Sequence, residues 1–350
     1  MNKEVERVDR YGVFKASVKR MKDVEVVPVN EVGNPGSNRS GSSSLDLQLH
    51  TPFPGGNQHE IYGPPGTGKT TLALAILGYA QRAGKHVAYV DEEGTLNRSL
   101  LETISSIDMD AEDEFGNPTF SIIRAPYAEA SMEAVRAFVQ QKDAVVVVDS
   151  IDSMVPRAVI ESDFDDQHMG SLGKFLSRVT RDFAKILPRT GASIIWLNQI
   201  REKIGGYGDP KTTPGGWAVK FYANQRIELK YVKKTNYLED NGVKIGMKVP
   251  YEIVKNKCVP PFIRGELPIR FGHGIWEAMD LVDVAIKVGV FTSQANKRVI
   301  PPMFLAQFDP PFKCDGSTSI FAKTMVSFFD NNPEAIIYTW GEIKRMIDGV

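Results

Sequence analysis

The chain has 350 residues, 42% hydrophobic and 24% charged, enough for one large core with smaller attachments or for two ordinary domains. Its 42 lysines and arginines against 43 aspartates and glutamates leave a formal net charge of -1, which excludes nucleic-acid binding by bulk charge and demands a local basic surface instead. Cys258 and Cys314 lie far apart without metal-type spacing, and neither a secretory leader nor a bilayer-length apolar run is seen, so a soluble, reduced, cytoplasmic protein without membrane contact is expected.

In chain order, sparse apolar positions (Val5, Val8, Val13, Phe14, Val18) and then Val24-Glu25-Val26-Val27 predict a short helix and a strand, too poor in apolar surface to stand alone. The Gly-, Ser-, Asn- and Pro-rich stretch from Gly33 to Ser44 predicts a flexible connector. From Leu45 onward, His59–Gly63, His86–Asp91, Phe120–Ala125, Ala144–Ser150 and Ser193–Gln199 read as strands separated by helical patterns. The last three carry apolar runs such as Val145-Val146-Val147-Val148, as strands buried on both faces do. This alternation predicts an α/β fold, a mainly parallel twisted sheet flanked by helices. Val219 to Phe271 becomes strand-rich, with turns at Asn241-Gly242 and Pro260-Pro261, and after His273 helical patterns bracket a Pro-rich stretch. The organisation read from this is an N-terminal segment and linker (1–44), a core (45–272) and a small α/β C-terminal domain (273–350).

Gly63-Pro64-Pro65-Gly66-Thr67-Gly68-Lys69-Thr70 satisfies the phosphate-loop pattern between a predicted strand and a helix, which is the context the motif requires. Its glycines let backbone N–H groups curl around phosphates, and the helix N-terminus adds partial positive charge. Lys69 is placed to meet the β- and γ-phosphates and the Thr70 hydroxyl to meet Mg²⁺. Four valines ending in Asp149 fit the second nucleotide strand, with Asp149 as a metal partner. In AAA-type ATPases a catalytic glutamate follows the metal aspartate, but Ser150 stands there in this chain. A carboxylate pair, Glu92 and Glu93, instead ends the strand through Asp91 and could orient the attacking water; a solvated acidic loop is the bland alternative.

The helix after Met169 carries an apolar stripe (Leu172, Phe175, Leu176, Val179, Phe183, Ile186). Lys174, Arg178, Arg181 and Lys185 recur on another face, either as an ordinary solvated face or as a surface for DNA.

Three further stretches carry a family resemblance. Val148-Asp149-Ser150-Ile151 leads through Val155-Pro156-Arg157 to Asp166-Gln167-His168-Met169-Gly170. Asn198-Gln199-Ile200-Arg201-Glu202-Lys203-Ile204-Gly205 precedes Thr212-Thr213-Pro214-Gly215-Gly216-Trp217-Ala218-Val219-Lys220-Phe221-Tyr222. Val254-Lys255-Asn256-Lys257 and Pro261-Phe262 close at Phe271-Gly272-His273-Gly274-Ile275. With the phosphate loop, these resemble bacterial RecA recombinases and their bacteriophage relatives over residues 42 to 275. Asp330-Asn331-Asn332-Pro333-Glu334 extends the likeness more weakly.

The resemblance implies a RecA-like P-loop ATPase core that takes ATP and Mg²⁺. It implies a helical homo-oligomer on single-stranded DNA that pairs it with homologous double-stranded DNA, hydrolysing ATP in a DNA-dependent way. It assigns nucleotide contacts to Gly63, Pro64, Pro65, Gly66, Thr67, Gly68, Lys69, Thr70, Thr71, Asp149 and Phe271. The general base is placed at Glu93 rather than Glu92, and the phosphate-sensing switch at Gln199. Two long polar or Gly-rich segments, 158–169 and 200–216, become the DNA loops, as such lengths suggest. Met169, Lys174, Ser177, Arg181, Arg201, Lys203, Gly215, Gly216 and Trp217 are the DNA contacts so implied. Lys255 and Lys257, with Lys220 and Phe221, are expected to reach a neighbouring subunit's nucleotide. The N-terminal segment would then be the oligomerisation arm of an open head-to-tail helix. Single-strand-binding and loader proteins are further partners the resemblance suggests, in a bacterium or in the host cytoplasm of a bacteriophage.

Trp217 stands where relatives usually carry Asn, Pro214 replaces a polar residue and Lys211 an acidic one; an aromatic and an added cation suit single strands. The sequence closes at Asp348-Gly349-Val350 with no acidic run, from which weaker self-inhibition of duplex binding is expected. Two other readings share the nucleotide motifs: a ring-forming helicase of the same fold, and an ATP-binding regulatory paralogue without strand exchange.

Overall fold

The predicted alternation is realised in a computed structural model. Helix α1 (Ser43–Leu49) leads into β1 (Gln58–Gly63), α2 (Lys69–Arg82), β2 (Val87–Asp91), α3 (Arg98–Ile104), β3 (Phe120–Ile123), α4 (Ala128–Phe138) and β4 (Val145–Asp149). The short α5 (Arg157–Ile160) and long α6 (Ser171–Thr190) precede β5 (Ser193–Gln199), a ribbon of β6 (Arg201–Glu202) and β7 (Lys211–Thr212), and α7 (Gly216–Tyr222). Strands β8 (Ala223–Leu229), β9 (Tyr237–Asp240), β10 (Val243–Asn256), β11 (Ile263–Arg270) and β12 (Gly274–Ile275) follow. The chain ends with α8 (Glu277–Lys287), short strands β13 (Thr292–Gln294), β14 (Lys297–Val299) and β15 (Ser319–Phe321), then α9 (Ala322–Asn331) and α10 (Pro333–Asp348). The structure describes residues 36–104, 107–162, 170–202, 211–212, 216–294, 297–299 and 319–348. The chain divides into two compact units, 1–35 and 36–350, and the description concerns the second. The helix and strand expected before residue 30, and Met169, Lys203 and Gly215, lie outside the described residues.

The main sheet runs β12-β11-β10-β8-β1-β5-β4-β2-β3, with β9 paired to β10. From β8 to β3 every pairing is parallel, while β10, β11 and β12 add an antiparallel wing. Period-2 alternation splits the buried strands between two cores. Val145, Val147, Tyr89 and Leu197 pack on one face with α1 and α2. Val146, Val148, Val90 and Trp196 pack on the other with α4 and α6. The four consecutive valines therefore serve both faces, each burial contributing about 1.5–3 kcal/mol. A third core joins α8, α9 and α10, with Leu47 of α1 packed against it.

Three expectations need correction. The strand expected over Phe120–Ala125 stops at Ile123 and is only partly buried, because β3 is the sheet edge and one side has no neighbour among the described residues. The stretch expected to be a flexible connector is, from Asn38 to Ser44, largely buried. Asn38 Nδ2 donates to Phe53 O at 2.8 Å, Ser40 N to Asp46 Oδ1 at 2.9 Å, and Ser42 Oγ to Asp280 Oδ2 at 2.7 Å. Small hydroxyl side chains fit there because buried carboxylates accept from them, which composition cannot reveal. Residues 219–222, read as the start of the strand-rich region, instead complete α7.

Candidate functional site

Parallel strands place ligand sites beyond their carboxyl ends, where the order of connection reverses. Here β1 ends at Gly63, packed so closely on Leu229 that no Cβ fits. The loop then turns through Gly66 and Gly68, with φ of 70° and 81°, a region that disfavours side chains, and delivers the chain to the N-terminus of α2. Thr67 Oγ1 donates to Pro64 O at 2.8 Å and pins the loop. Lys69 Nζ donates to Gly63 O at 3.1 Å and Pro64 O at 2.9 Å, so its ammonium lies across the loop mouth. Burial holds that amine below the ordinary lysine range, opposed by Asp149 and Glu93.

β4 carries Asp149 to the same mouth, and this carboxylate is 4% exposed. Thr70 Oγ1 donates to its Oδ2 at 2.7 Å, and the Tyr89 hydroxyl donates to the same oxygen. Burial still raises the carboxyl above the usual range, against both hydrogen bonds. The hydroxyl and carboxylate form an all-oxygen donor set beside the phosphate cradle, which fits a hard divalent cation such as Mg²⁺.

Glu93 lines the same mouth. Ser150 Oγ donates to its Oε1 at 2.9 Å, and Gln199 Nε2, at the end of β5, donates to the same oxygen at 3.5 Å. Glu92 does not line the cleft: its amide donates to Asp149 O at 2.8 Å, its Oε1 is buried without a hydrogen-bond partner, and burial raises its carboxyl. The structure thus separates the two adjacent glutamates, one facing the cleft and one turned under it.

The cleft encloses about 440 Å³. Its polar end is Lys69, Thr70, Glu93, Asp149 and Gln199; Thr71 and Gly66 line it too. Its apolar end is Leu100, Ile104, Met247, Ile269 and Phe271, a surface that suits a base. Sequence reasoning placed Phe271 but missed Tyr89, Ser150, Leu100, Ile104, Met247 and Arg270. A tyrosine in an otherwise apolar buried strand must find a hydrogen-bond partner, so Tyr89 carried a readable signal. Met247 and Arg270 come from the antiparallel wing and had none.

A second constellation lies where α6 meets α7. Glycines in the left-handed region, Gly170 and Gly191, bound α6. Leu176, Phe183 and Leu187 are buried, while Leu172, Phe175, Val179 and Ile186 pack around them. Lys174, Arg178, Arg181 and Lys185 are exposed. Ser177 Oγ donates back to Gly173 O at 2.7 Å. On α7, Trp217 and Phe221 are 85% and 71% exposed, four residues apart and so on one face. Lys220 Nζ lies 5.5 Å from the Trp217 ring centroid. A groove of about 560 Å³ is lined by Gly170, Gly173, Lys174, Ser177, Arg181, Gly216, Trp217, Ala218, Phe221 and Tyr222. The fold therefore brings together five of the residues assigned to DNA. Arg201 is described through its backbone alone, in the β6–β7 ribbon, where it pairs with Thr212.

Lys255, Lys257, Lys220 and Phe221 do not line the cleft of their own chain. β10 runs antiparallel to β8, so Lys255 is level with Arg226 and Glu60, toward the start of β1 and away from the phosphate loop. Lys255 Nζ donates to Lys220 O at 2.9 Å and Phe221 O at 2.8 Å, capping the carbonyl end of α7. Burial, then Lys257 and Arg226, push its amine down to about 8. Among the described residues no helix is long and apolar enough to cross a membrane.

Comparison with known proteins agrees with this geometry. The family described as RecA N-terminal domain matches residues 3–276. Protein RecA of Thermus thermophilus is 39% identical over 254 residues, 72% of this chain and 72% of the relative. Protein RecA of Thermus aquaticus is 37% identical over 254 residues, with the same coverage of both chains. Protein RecA of Campylobacter jejuni is 34% identical over 280 residues, 79% of this chain and 76% of the relative. A family match across most of the sequence, a phosphate loop on a parallel strand and a glutamate facing it together establish that the chain belongs to the RecA family.

Proposed function

We propose that this chain is an ATP-driven recombinase, which assembles head to tail on single-stranded DNA and exchanges that strand with a homologous duplex. One observation carries the reading. β5 ends at Gln199 within reach of Glu93 and runs on into the β6–β7 ribbon and α7, whose Trp217 lines the basic groove. Gln199 at the cleft and Trp217 at the groove are thus the two ends of one chain segment, through which the occupant of the cleft would act on the groove.

In this reading Gly63 to Thr71 and Phe271 bind ATP, Lys69 neutralises phosphate charge, and Thr70 and Asp149 hold Mg²⁺. When bound, that ion neutralises phosphate oxygens during transfer. Glu93 accepts a proton from the attacking water, with Ser150 orienting the carboxylate. Gln199 senses the terminal phosphate. Lys174, Ser177, Arg181, Gly216 and Trp217 hold the strand together with Met169, Arg201, Lys203 and Gly215. Lys255 and Lys257, with Lys220 and Phe221, meet the nucleotide of the adjoining subunit, which is consistent with their place away from their own phosphate loop. The segment 1–44 supplies the assembly arm and its linker, 45–272 the ATPase core and 273–350 the C-terminal domain, within the compact unit that begins at residue 36. Single-strand-binding and loader proteins complete the partners, in the cytoplasm of a bacterium or of a bacteriophage's host.

The test is ATPase rate with and without single-stranded DNA, then strand exchange on the same preparation, with micrographs of the assemblies. Stimulated hydrolysis, exchange and open helices are expected. Closed rings, or hydrolysis without exchange, overturn the proposal.

A further inference from the structure

A second cavity, of about 580 Å³, lies between the outer end of α2 and the helices of the C-terminal region. Arg270 is the one described residue that lines both this cavity and the nucleotide cleft. It ends β11, where it pairs with Gly246 and Gly274. From there Nη1 donates to Asp330 Oδ2 of α9 at 3.3 Å, and the guanidinium lies 5.1 Å from the Trp276 ring centroid. The Trp276 indole N–H donates to the other oxygen of that carboxylate at 3.2 Å.

Charge makes this tie conditional. Asp330 sits in the last turn of α9, where the helix dipole disfavours a carboxylate, so its hold on Arg270 is a local compensation. The Arg270 side chain is 39% exposed, and a solvated pair of this kind is weak. Among the described residues of the cleft, Lys69 and Arg270 are the cations and Glu93 and Asp149 the anions, so these residues carry no formal excess of positive charge for a triphosphate. A polyanion entering the cleft and Asp330 therefore compete for one guanidinium.

We propose that Arg270 is a nucleotide-binding residue which bound triphosphate draws away from Asp330, loosening the contact between the ATPase core and α9. The inference rests on the reading of the cleft as an ATP site and extends it to a link with the C-terminal helices. Competition fixes opposite signs for two substitutions. Arg270→Gln removes the shared cation and weakens nucleotide binding by about fivefold. Asp330→Asn removes the competitor and tightens it by ~2–5-fold. A purely structural tie would give both variants the same sign.

Calorimetric titration of full-length protein with the imido analogue of ATP and Mg²⁺ reads both, with amide exchange of residues 322–348 followed alongside. Weakening in Arg270→Gln, tightening in Asp330→Asn, and faster exchange on titration in the unsubstituted protein alone are the expected results. Two variants shifted in the same direction, or both unchanged, overturn the role of Arg270. Lys69→Ala is the separating control: retained affinity there refutes the ATP reading itself, whereas lost affinity with no opposed shifts refutes only this inference.

Discussion

In the nucleotide cleft the carboxylate of Asp149 is buried and already accepts from Thr70 and Tyr89. In the α6–α7 groove Lys174, Arg178, Arg181 and Lys185 stand in solvent and make no ion pair among the described residues. The contrast matches the role proposed for each region. Chemistry on a phosphate needs dipoles and charges oriented before the substrate arrives, and low solvent exposure strengthens them. Gripping a polymer of any sequence needs cations that shed their counterions and aromatic faces that stack on every base. The first region is sensitive to single atoms, whereas the second spreads its effect over many weak contacts.

The largest expected effect breaks the cleft. Glu93→Gln slows DNA-stimulated hydrolysis by ~10²-fold or more while leaving nucleotide affinity unchanged, as steady-state kinetics beside calorimetry would read. Undiminished turnover removes Glu93 from the mechanism and leaves the Ser150 and Gln199 contacts without purpose. Next comes the groove. Trp217→Ala costs about tenfold in single-strand affinity, one lost stacking platform. In fluorescence titration the same indole would be quenched by DNA, and an emission indifferent to DNA counts against stacking.

The third effect concerns Lys255, which caps α7 and is proposed to meet the nucleotide of the adjoining subunit. Lys255 loses its charge near pH 8, well below an ordinary lysine, because burial and two neighbouring cations disfavour the ammonium. Raising the pH through that value deprotonates it, so ATP-dependent assembly falls, by about threefold for one pH unit centred there. Lys255→Arg, which keeps its charge, flattens the profile; an equally steep profile in that variant assigns the fall elsewhere. The smallest effect tests the solvated face. Arg181→Ala lowers single-strand affinity about twofold and reduces the log–log salt slope by ~0.7, the share of one phosphate contact. A slope identical to that of the unsubstituted protein places Arg181 off the DNA path.

Local rules made much of the site readable. The phosphate loop is a turn followed by a helix start, and both are written in adjacent residues. Asp149 could be found because four valines must be a buried strand and a strand needs an end. The cationic face of α6 was readable from spacing alone. Glu92 and Glu93 were not separable locally, since either could follow the strand. The Glu92 amide bond to Asp149 O turns the first glutamate under the cleft and leaves the second facing it. The segment from Asn38 to Ser44 misled for the same reason: its Ser40 amide is satisfied by Asp46 nearby, but its Ser42 hydroxyl by Asp280, far along the chain.

By itself the sequence determined the α/β class, the nucleotide motifs and the family, because these rest on side-chain periodicity and on backbone conformations only certain residues adopt. Tertiary structure alone decided that the Glu92 carboxyl is buried off the cleft, that Lys255 caps α7, and that Arg270 is shared between the cleft and Asp330. Each of these is a contact between groups distant in the chain. Strand pairing and helix packing set such distances, and no pattern of neighbouring residues encodes them.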